Sequence, residues 1–385
     1  MLPSRALPAA LLAASLLAPG CTPTQVRYAP LESAPPPAGD VRATLFLVGD
    51  AGEASEERAA VLAHLSAAAA EAAGGGSGPP VVVAYLGDNL YPEGLPETPT
   101  PADSVVLAGQ IEAVPALPNV RAVFVPGNHD WGHGARLDVA RRAVLGQAEW
   151  IERHAGPVHA RMLPEDACPG PAVEDVGPAL RLVFADTEAL LRGGEATCDG
   201  AAAFHERLGA ALRESGGRHV VVLTHHPLAS GGQHAGNIAP FQRGPLLHYL
   251  IRRAGVSVQD FASTRYTEMA GAFERTFRES GAPLVFASGH DHSLQVIRLG
   301  GTGEPAYQIV SGAGSKSERA RRVEGTRYAT ERNGYVRLDV RASDVRLTVY
   351  ALPEGQDAPQ AVYACTLSEA AAEGECPEAP LAAAR

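Results

Sequence analysis

The stretch Leu284-Val285-Phe286-Ala287-Ser288-Gly289-His290-Asp291-His292 carries the reading of the fold. Four apolar residues in a row predict a buried strand, and the glycine behind them predicts a bend. Two histidines one residue apart at such a bend can both turn toward one cavity, so the tip reads as a pair of metal ligands. A strand-end loop with a capping or solvated histidine looks the same, so one tip alone decides little. The weight comes from upstream, where four more apolar runs end in Asp, Asn or His.

The first run, 44–48, closes in Gly49-Asp50-Ala51-Gly52, and the second, 81–86, closes in Gly87-Asp88-Asn89-Leu90-Tyr91. The third, 122–125, ends in Pro126-Gly127-Asn128-His129-Asp130, and the fourth, 220–224, ends in His225-His226-Pro227. Helical patterns fall at 56–73, 105–113, 136–154 and 201–215, and a further strand is expected at 180–185 after an irregular region around Cys168. Strand, motif and helix in alternation predict parallel strands with helical crossovers, an α/β arrangement that places ligands at strand carboxyl ends. All five motifs sit at such ends.

Between His234 and Ala282 lies a long insertion with helical patterns at 246–253 and 269–277, the place to look for substrate specificity. Beyond His292 the character changes. Short runs at 294–299, 306–311, 335–340 and 345–351 are separated by turns, and Val336-Arg337-Leu338-Asp339-Val340 alternates with period two. These predict an antiparallel second sheet packed on the first. Residues 353–385 lack pattern and read as a tail, leaving 41–352 as the folded domain.

The 385 residues are 45% hydrophobic, enough for a large core, and the formal charge of −11 argues against a nucleic-acid-binding surface. An anionic substrate must be captured locally, and metal is the obvious means. Residues 1–20 read as an export signal, with Arg5 ahead of an apolar stretch from Ala6 to Ala18. Leu17-Ala18-Pro19-Gly20-Cys21 resembles a bacterial lipoprotein cleavage site, with Ala18 and Pro19 departing from the usual residues. An ordinary signal peptide followed by a chance cysteine is the other reading. The expected location is therefore an outer-membrane or periplasmic lipoprotein attached through lipidated Cys21, otherwise a periplasmic or secreted protein. Residues 21–40, ending near Pro35-Pro36-Pro37, read as a tether. The remaining Cys168, Cys198, Cys365 and Cys376 suit structural disulfides in an exported protein, with Cys365 and Cys376 closing a local C-terminal loop.

Collected together, the strand ends offer Asp50, Asp88 with Tyr91, Asn128 with His129, His225, and His290 with His292. Carboxylate, amide and imidazole donors in this number suit two ions sharing a bridging carboxylate. In their order and context these blocks resemble the metallophosphoesterase superfamily. Tyr91 three residues after Asp88 is similar to its purple acid phosphatase branch. Gly289-His290-Asp291-His292-Ser293-Leu294-Gln295 and Ser311-Gly312-Ala313-Gly314 resemble the small tartrate-resistant type, as does His234 nine residues after His225.

The resemblance runs from about Thr44 to Tyr350 and implies a four-layer αββα sandwich, two mixed sheets with helices outside. It implies one ion, Fe(III), on Asp50, Asp88, Tyr91 and His292. It implies a divalent Fe, Zn or Mn on Asp88, Asn128, His225 and His290. Tyrosinate on ferric iron would colour the protein purple. His129 and His234 would bind phosphoryl oxygens and protonate the leaving oxygen, with Asp130 orienting His129. The implied reaction is hydrolysis of a small phosphomonoester by in-line attack of hydroxide held on the ions. A phosphodiesterase or nucleotidase on the same scaffold, and a metal-binding surface lipoprotein without activity, are the alternatives.

Other polar residues read more plainly. His226 adjoins a proposed ligand but should face the opposite way, a structural or supporting position, and His133 reads as an exposed loop residue. Arg319, Arg321 and Arg322, with Arg243 and Arg265 in the insertion, read as solvated charges. Ala51 stands where the branch commonly has an aromatic, which bears on pocket shape.

Overall fold

A computed structural model describes residues 40–156, 158–193, 198–234, 261, 263–368 and 376–379. The signal segment, Cys21, the tether up to residue 39, Arg243 and the helix expected at 246–253 lie outside these residues.

In chain order the first half runs β1 (Ala43–Val48), α1 (Glu56–Ala72), β2 (Val81–Leu86), α2 (Pro101–Glu112), β3 (Val120–Val125), α3 (Leu137–His154), β4 (His159–Met162) and β5 (Ala172–Val176). It continues with β6 (Leu180–Phe184), α4 (Thr187–Leu191), α5 (Gly200–Arg213), β7 (His219–Leu223), α6 (Thr264–Ser280) and β8 (Val285–Ser288). The last part is all strand: β9 (Leu294–Arg298), β10 (Tyr307–Ser311), β11 (Thr326–Thr330), β12 (Gly334–Val340), β13 (Val345–Ala351) and β14 (Gln360–Leu367).

These strands form two seven-stranded sheets, ordered β14-β13-β12-β1-β2-β3-β4 and β11-β9-β10-β8-β7-β6-β5. Each has a parallel centre and antiparallel strands beside it. In the first, Leu45 lies opposite Val82 in the parallel pair and opposite Leu338 in the antiparallel pair.

Side-chain alternation makes the layers. Leu45 and Leu47 of β1 join Leu182, Val221 and Val285 of the other sheet in one core between the sheets. Phe46 and Val48, one residue out of phase, pack with Val61 and Leu65 of α1, Leu107 of α2 and Ile151 of α3. Val222 and Phe286 turn away from the central core onto Phe204 of α5 and Phe273 of α6. Because both faces of each sheet are covered, the central strands are apolar at nearly every position, and each fully buried aliphatic or aromatic side chain contributes about 1.5–3 kcal/mol. The result is a helix–sheet–sheet–helix sandwich.

Helix starts follow local chemistry. Ser55 caps α1 by accepting from Arg58 N, and Thr100 with Asp103 forms a reciprocal capping box on α2 with Pro101 at its first position.

The late strands differ from the sequence expectation. They do not form a sheet of their own: β12 and β13 extend the first sheet through β1, while β9 and β10 extend the second through β8. Alternation reports that a strand has two unlike faces and says nothing about which strand it will pair with. Four strands were absent from that reading, β4, β5, β11 and β14, and all four lie at sheet edges. Edge strands carry polar residues that break the apolar run, as in His159-Ala160-Arg161-Met162. β14 also falls in the stretch read as a tail, so a domain end at 352 cuts off a strand that pairs with β13 along its length.

Disulfides join Cys168 to Cys198 and Cys365 to Cys376, the second being the local closure expected. It fastens β14 beside the segment whose Ala379 N donates to Arg327 O of β11 at 2.8 Å. No helix among the described residues is long and apolar enough to cross a membrane.

Candidate metal centre

The carboxyl ends of β1, β2 and β3 in one sheet and β7 and β8 in the other meet along one side of the sandwich. Backbone bonds stitch them: Gly49 N to Ser311 O at 2.7 Å, Asp50 N to Gly87 O at 2.9 Å, and Gly289 N to His225 O at 3.0 Å. The ends are strained. Asp50, Asp88 and His290 have φ of 57°, 53° and 71°, a left-handed region that costs a side-chain-bearing residue about 1–3 kcal/mol and recurs at functional positions. Gly289 allows the sheets to approach, since a Cβ there would stand 2.5 Å from Asp50 Oδ2 and 2.7 Å from Leu86 O.

Two groups of donor atoms result. In the first, Tyr91 OH is 3.1 Å from Asp50 Oδ1, 3.1 Å from Asp88 Oδ2 and 3.2 Å from His292 Nε2. In the second, Asn128 Oδ1 is 2.9 Å from His225 Nε2 and 3.2 Å from His290 Nδ1. The two histidine nitrogens there are 3.3 Å apart, and Asp88 Oδ1 lies 3.4 Å from His225 Nε2. One carboxylate, Asp88, therefore gives an oxygen to each group.

The fit to metal can be tested on lone pairs. Donors about 2.1 Å from one ion stand about 3.0–3.4 Å from each other, which is the spacing of both groups. His225 donates from Nδ1 to Leu86 O at 2.8 Å, so its Nε2 presents a lone pair to the lone pairs of Asn128 Oδ1 and His290 Nδ1. Such acceptors converge only where a cation or an extra proton holds them. The residues present fit metal ions, and donor atoms of Asp50, Asp88 and His225 lie within 4.8 Å of one another, as do those of His225, His226 and His290.

Ion-free, the same crowding sets the protonation states. Burial resists ionisation of Asp88, yet His225, His129 and His292 outweigh it and hold its carboxyl below the ordinary range. Burial pulls His225 down, while Asp88 and Asp50 push it further up, to above the ordinary histidine value. Burial is outweighed again at His292, where Asp50 and Glu318 push the ring up to about 10. Burial and the carboxylates of Asp50 and Asp88 raise the Tyr91 phenol well above its usual range.

All seven residues read as ligands come together. Of those read as catalytic, His129 stands beside Tyr91 with ring centroids 4.5 Å apart, and its Nδ1 pairs with Pro92 O. His234 lies over His290, centroids 4.0 Å apart, and its backbone N donates to Asp291 Oδ1 at 3.0 Å. Asp130 does not do what was expected of it. It is fully buried and accepts from Gly127 N at 2.8 Å, Gln147 Nε2 at 2.8 Å and Asn89 Nδ2 at 2.9 Å. Its bonds knit the second and third strand-end loops together, and His129 takes Pro92 O instead.

Several contributors were not legible beforehand. His133 is the exposed turn residue expected, and it also accepts from Asn128 Nδ2 at 3.3 Å and stacks on His129 with centroids 4.3 Å apart, so it touches the centre. Asp291 turns away from the two histidines that flank it and bonds Ser230 Oγ, holding the loop that carries His234. Glu318 Oε1 stands 3.5 Å from His292 Nδ1. His226, by contrast, takes the supporting position expected of it behind the second group, its Nδ1 2.9 Å from Thr187 Oγ1 and its Nε2 3.6 Å from Glu188 Oε2.

No family model matches the chain, and no curated protein sequence does. Solved structures do. The chain overlays on GAP50, the anchor in the inner membrane complex of Plasmodium, with a TM-score of 0.57 at 13% identity, covering 90% of this chain and 98% of that one. It overlays on PhoD with a TM-score of 0.56 at 12% identity, covering 91% of this chain and 76% of that one. The chain therefore shares with both the fold of two mixed sheets flanked by helices, over about nine tenths of its length.

Proposed function

We propose that the protein is an exported dinuclear-metal phosphohydrolase acting on phosphomonoesters, of the purple acid phosphatase kind. The observation that carries this reading is Asp88, which offers Oδ2 to the group around Tyr91 and Oδ1 to the group around His225. Asp50, Asp88, Tyr91 and His292 would hold Fe(III), and Asp88, Asn128, His225 and His290 a divalent Fe, Zn or Mn. The phenolate oxygen selects a trivalent ion, and the amide and imidazoles a divalent one. Bound there, two ions supply Lewis acidity, neutralising phosphoryl oxygens and acidifying a water.

The chain's own groups would do the rest. His129, with Nδ1 engaged by Pro92 O, exchanges a proton at Nε2, the atom placed to serve the leaving oxygen. His234, held over His290 through Asp291, lies at the edge of the centre as a second group for phosphoryl oxygens. Two disulfides and the N-terminal signal pattern support export, with attachment through Cys21.

The test is hydrolysis of p-nitrophenyl phosphate and bis(p-nitrophenyl) phosphate by metal-loaded protein, with and without chelator. Chelator-sensitive turnover of the monoester, at least tenfold faster than the diester, is expected. Preference for the diester would replace this reading with a phosphodiesterase. Full metal content with no turnover of any phosphoester would leave a metal-binding surface protein.

A further inference from the structure

One lysine, Lys316, stands among the chain's 32 Lys and Arg residues. It sits at the mouth of the candidate centre. The turn that follows β10 is pinned to the end of β1 by Gly314 N to Gly49 O at 2.9 Å and by Ser315 N to Asp50 O at 3.0 Å, and Lys316 is the next residue. Its Nζ lies 3.6 Å from the centroid of the Tyr91 ring and 2.7 Å from Glu53 Oε2. Since the Tyr91 hydroxyl touches both Asp50 and Asp88, the ammonium is one aromatic ring away from the carboxylate that the two donor groups share.

The choice of lysine has a physical sense. An arginine fork suits fixed, planar pairing, whereas an ammonium is a compact charge on a flexible stem that can change partners. The ammonium here sits over the ring, a cation–π contact, and pairs at the same time with a carboxylate that is itself 53% exposed. A pair of that kind is weak and readily exchanged in water. Glu53 is tied back to the same turn through its N–H, which donates to Ser315 Oγ at 3.3 Å, so it is positioned to park the lysine when no substrate is present.

We infer that Lys316 is a substrate-binding residue whose ammonium leaves Glu53 to hold a peripheral oxygen of the phosphoryl group, favouring dianionic monoesters over diesters. This rests on the phosphohydrolase reading. A monoester carries two charges at neutral pH and a diester one, and the diester's second substituent occupies an oxygen that the ammonium would otherwise hold. A cation beside the centre therefore discriminates between them by charge and by a charge-assisted hydrogen bond.

The experiment compares wild type, Lys316→Met and Lys316→Arg, each loaded with metal, with metal content and melting temperature recorded. Binding of inorganic phosphate is measured by calorimetry, alongside KM and kcat for a monoester and a diester of one leaving group. Lys316→Met is expected to raise the phosphate Kd and the monoester KM about tenfold and to leave the diester KM within about twofold. Lys316→Arg is expected to retain most of the phosphate affinity. Unchanged phosphate affinity and an unchanged monoester-to-diester ratio in Lys316→Met would overturn the assignment alone. Loss of metal with equal loss on both esters would also overturn it, by making Lys316 a support for Tyr91. A loaded wild type that neither binds phosphate nor turns over either ester would overturn this inference together with the reading beneath it.

Discussion

Asn128 turns Nδ2 to His133 Nδ1 at 3.3 Å and Oδ1 to His225 and His290. An amide nitrogen can only donate, so His133 must accept there, and Oδ1 is left pointing at the two histidines. Rotating the amide by half a turn would aim N–H groups at the place where lone pairs converge. Removing His133 is therefore expected to weaken metal binding at the second group by about 10–100-fold, the usual effect of losing a partner that orients a ligand. Competition between His133→Ala protein and a chelator measures this, and unchanged affinity would show that the loop alone orients Asn128.

Tyr91 and His292 make a prediction about protons. Ion-free, burial and the Asp50 and Asp88 carboxylates keep the phenol protonated, and Asp50 and Glu318 overcome burial to keep His292 protonated to about pH 10. An ion bound to both must displace both protons. Titrating Fe(III) into weakly buffered protein near pH 6 is expected to release them, with about one fewer in Tyr91→Phe. A broad visible band is expected in the iron-loaded wild type and absent in that variant. A colourless wild type with full iron content would remove Tyr91 from the ligand set.

His205 should make stability depend on acid, far from the centre. It lies between Phe204 and Phe273, hydrogen-bonded to Thr276 Oγ1 at 3.0 Å, and burial, with Arg275 beside it, lowers its pKa to about 4. The unfolded chain takes up this proton near the ordinary value of 6.5, so the stability contributed by neutral His205 is complete above that pH. It is lost as pH falls from 6.5 toward 4. Urea melts across that window should show a shallower pH slope for His205→Gln than for wild type. Parallel slopes would mean that other groups carry the acid sensitivity.

The two disulfides should differ in worth. The Cys168–Cys198 bridge spans 30 residues and the Cys365–Cys376 bridge 11. In the chain-entropy account these closures stabilise by about 3.6 and about 2.8 kcal/mol. Replacing each pair by alanine should lower stability in that order, measured by denaturant melts of the two double variants. A larger loss at Cys365–Cys376 would show that this bridge acts mainly by holding β14 and Ala379 in place.

The residues themselves carried a great deal of this molecule. Buried runs ending in Asp50, Asp88, Asn128, His225 and His290 were legible because a strand covered on both faces must be apolar throughout. Polar residues packed at its end stand out against that background. The resemblance those blocks carry also pointed to two mixed sheets. Chain order alone could not assign β12 and β13 to the first sheet, because alternation is the same whichever neighbour a strand finds. Edge strands such as β4 and β14 escaped notice because half of their surroundings is solvent.

Local sequence determined which donors this protein has and that they sit at strand ends. Tertiary structure alone decided what those donors do to each other. Asp88 meets Tyr91 within its own loop, three residues away, but meets His225 across 137 positions of chain, and the close approach of two sheets at Gly289 sets that second distance. The same approach turns Lys316 from a lone cation into one standing over Tyr91. Composition and period report how a segment meets its own surroundings, whereas angles and distances between side chains on different strands arise only when the strands pack.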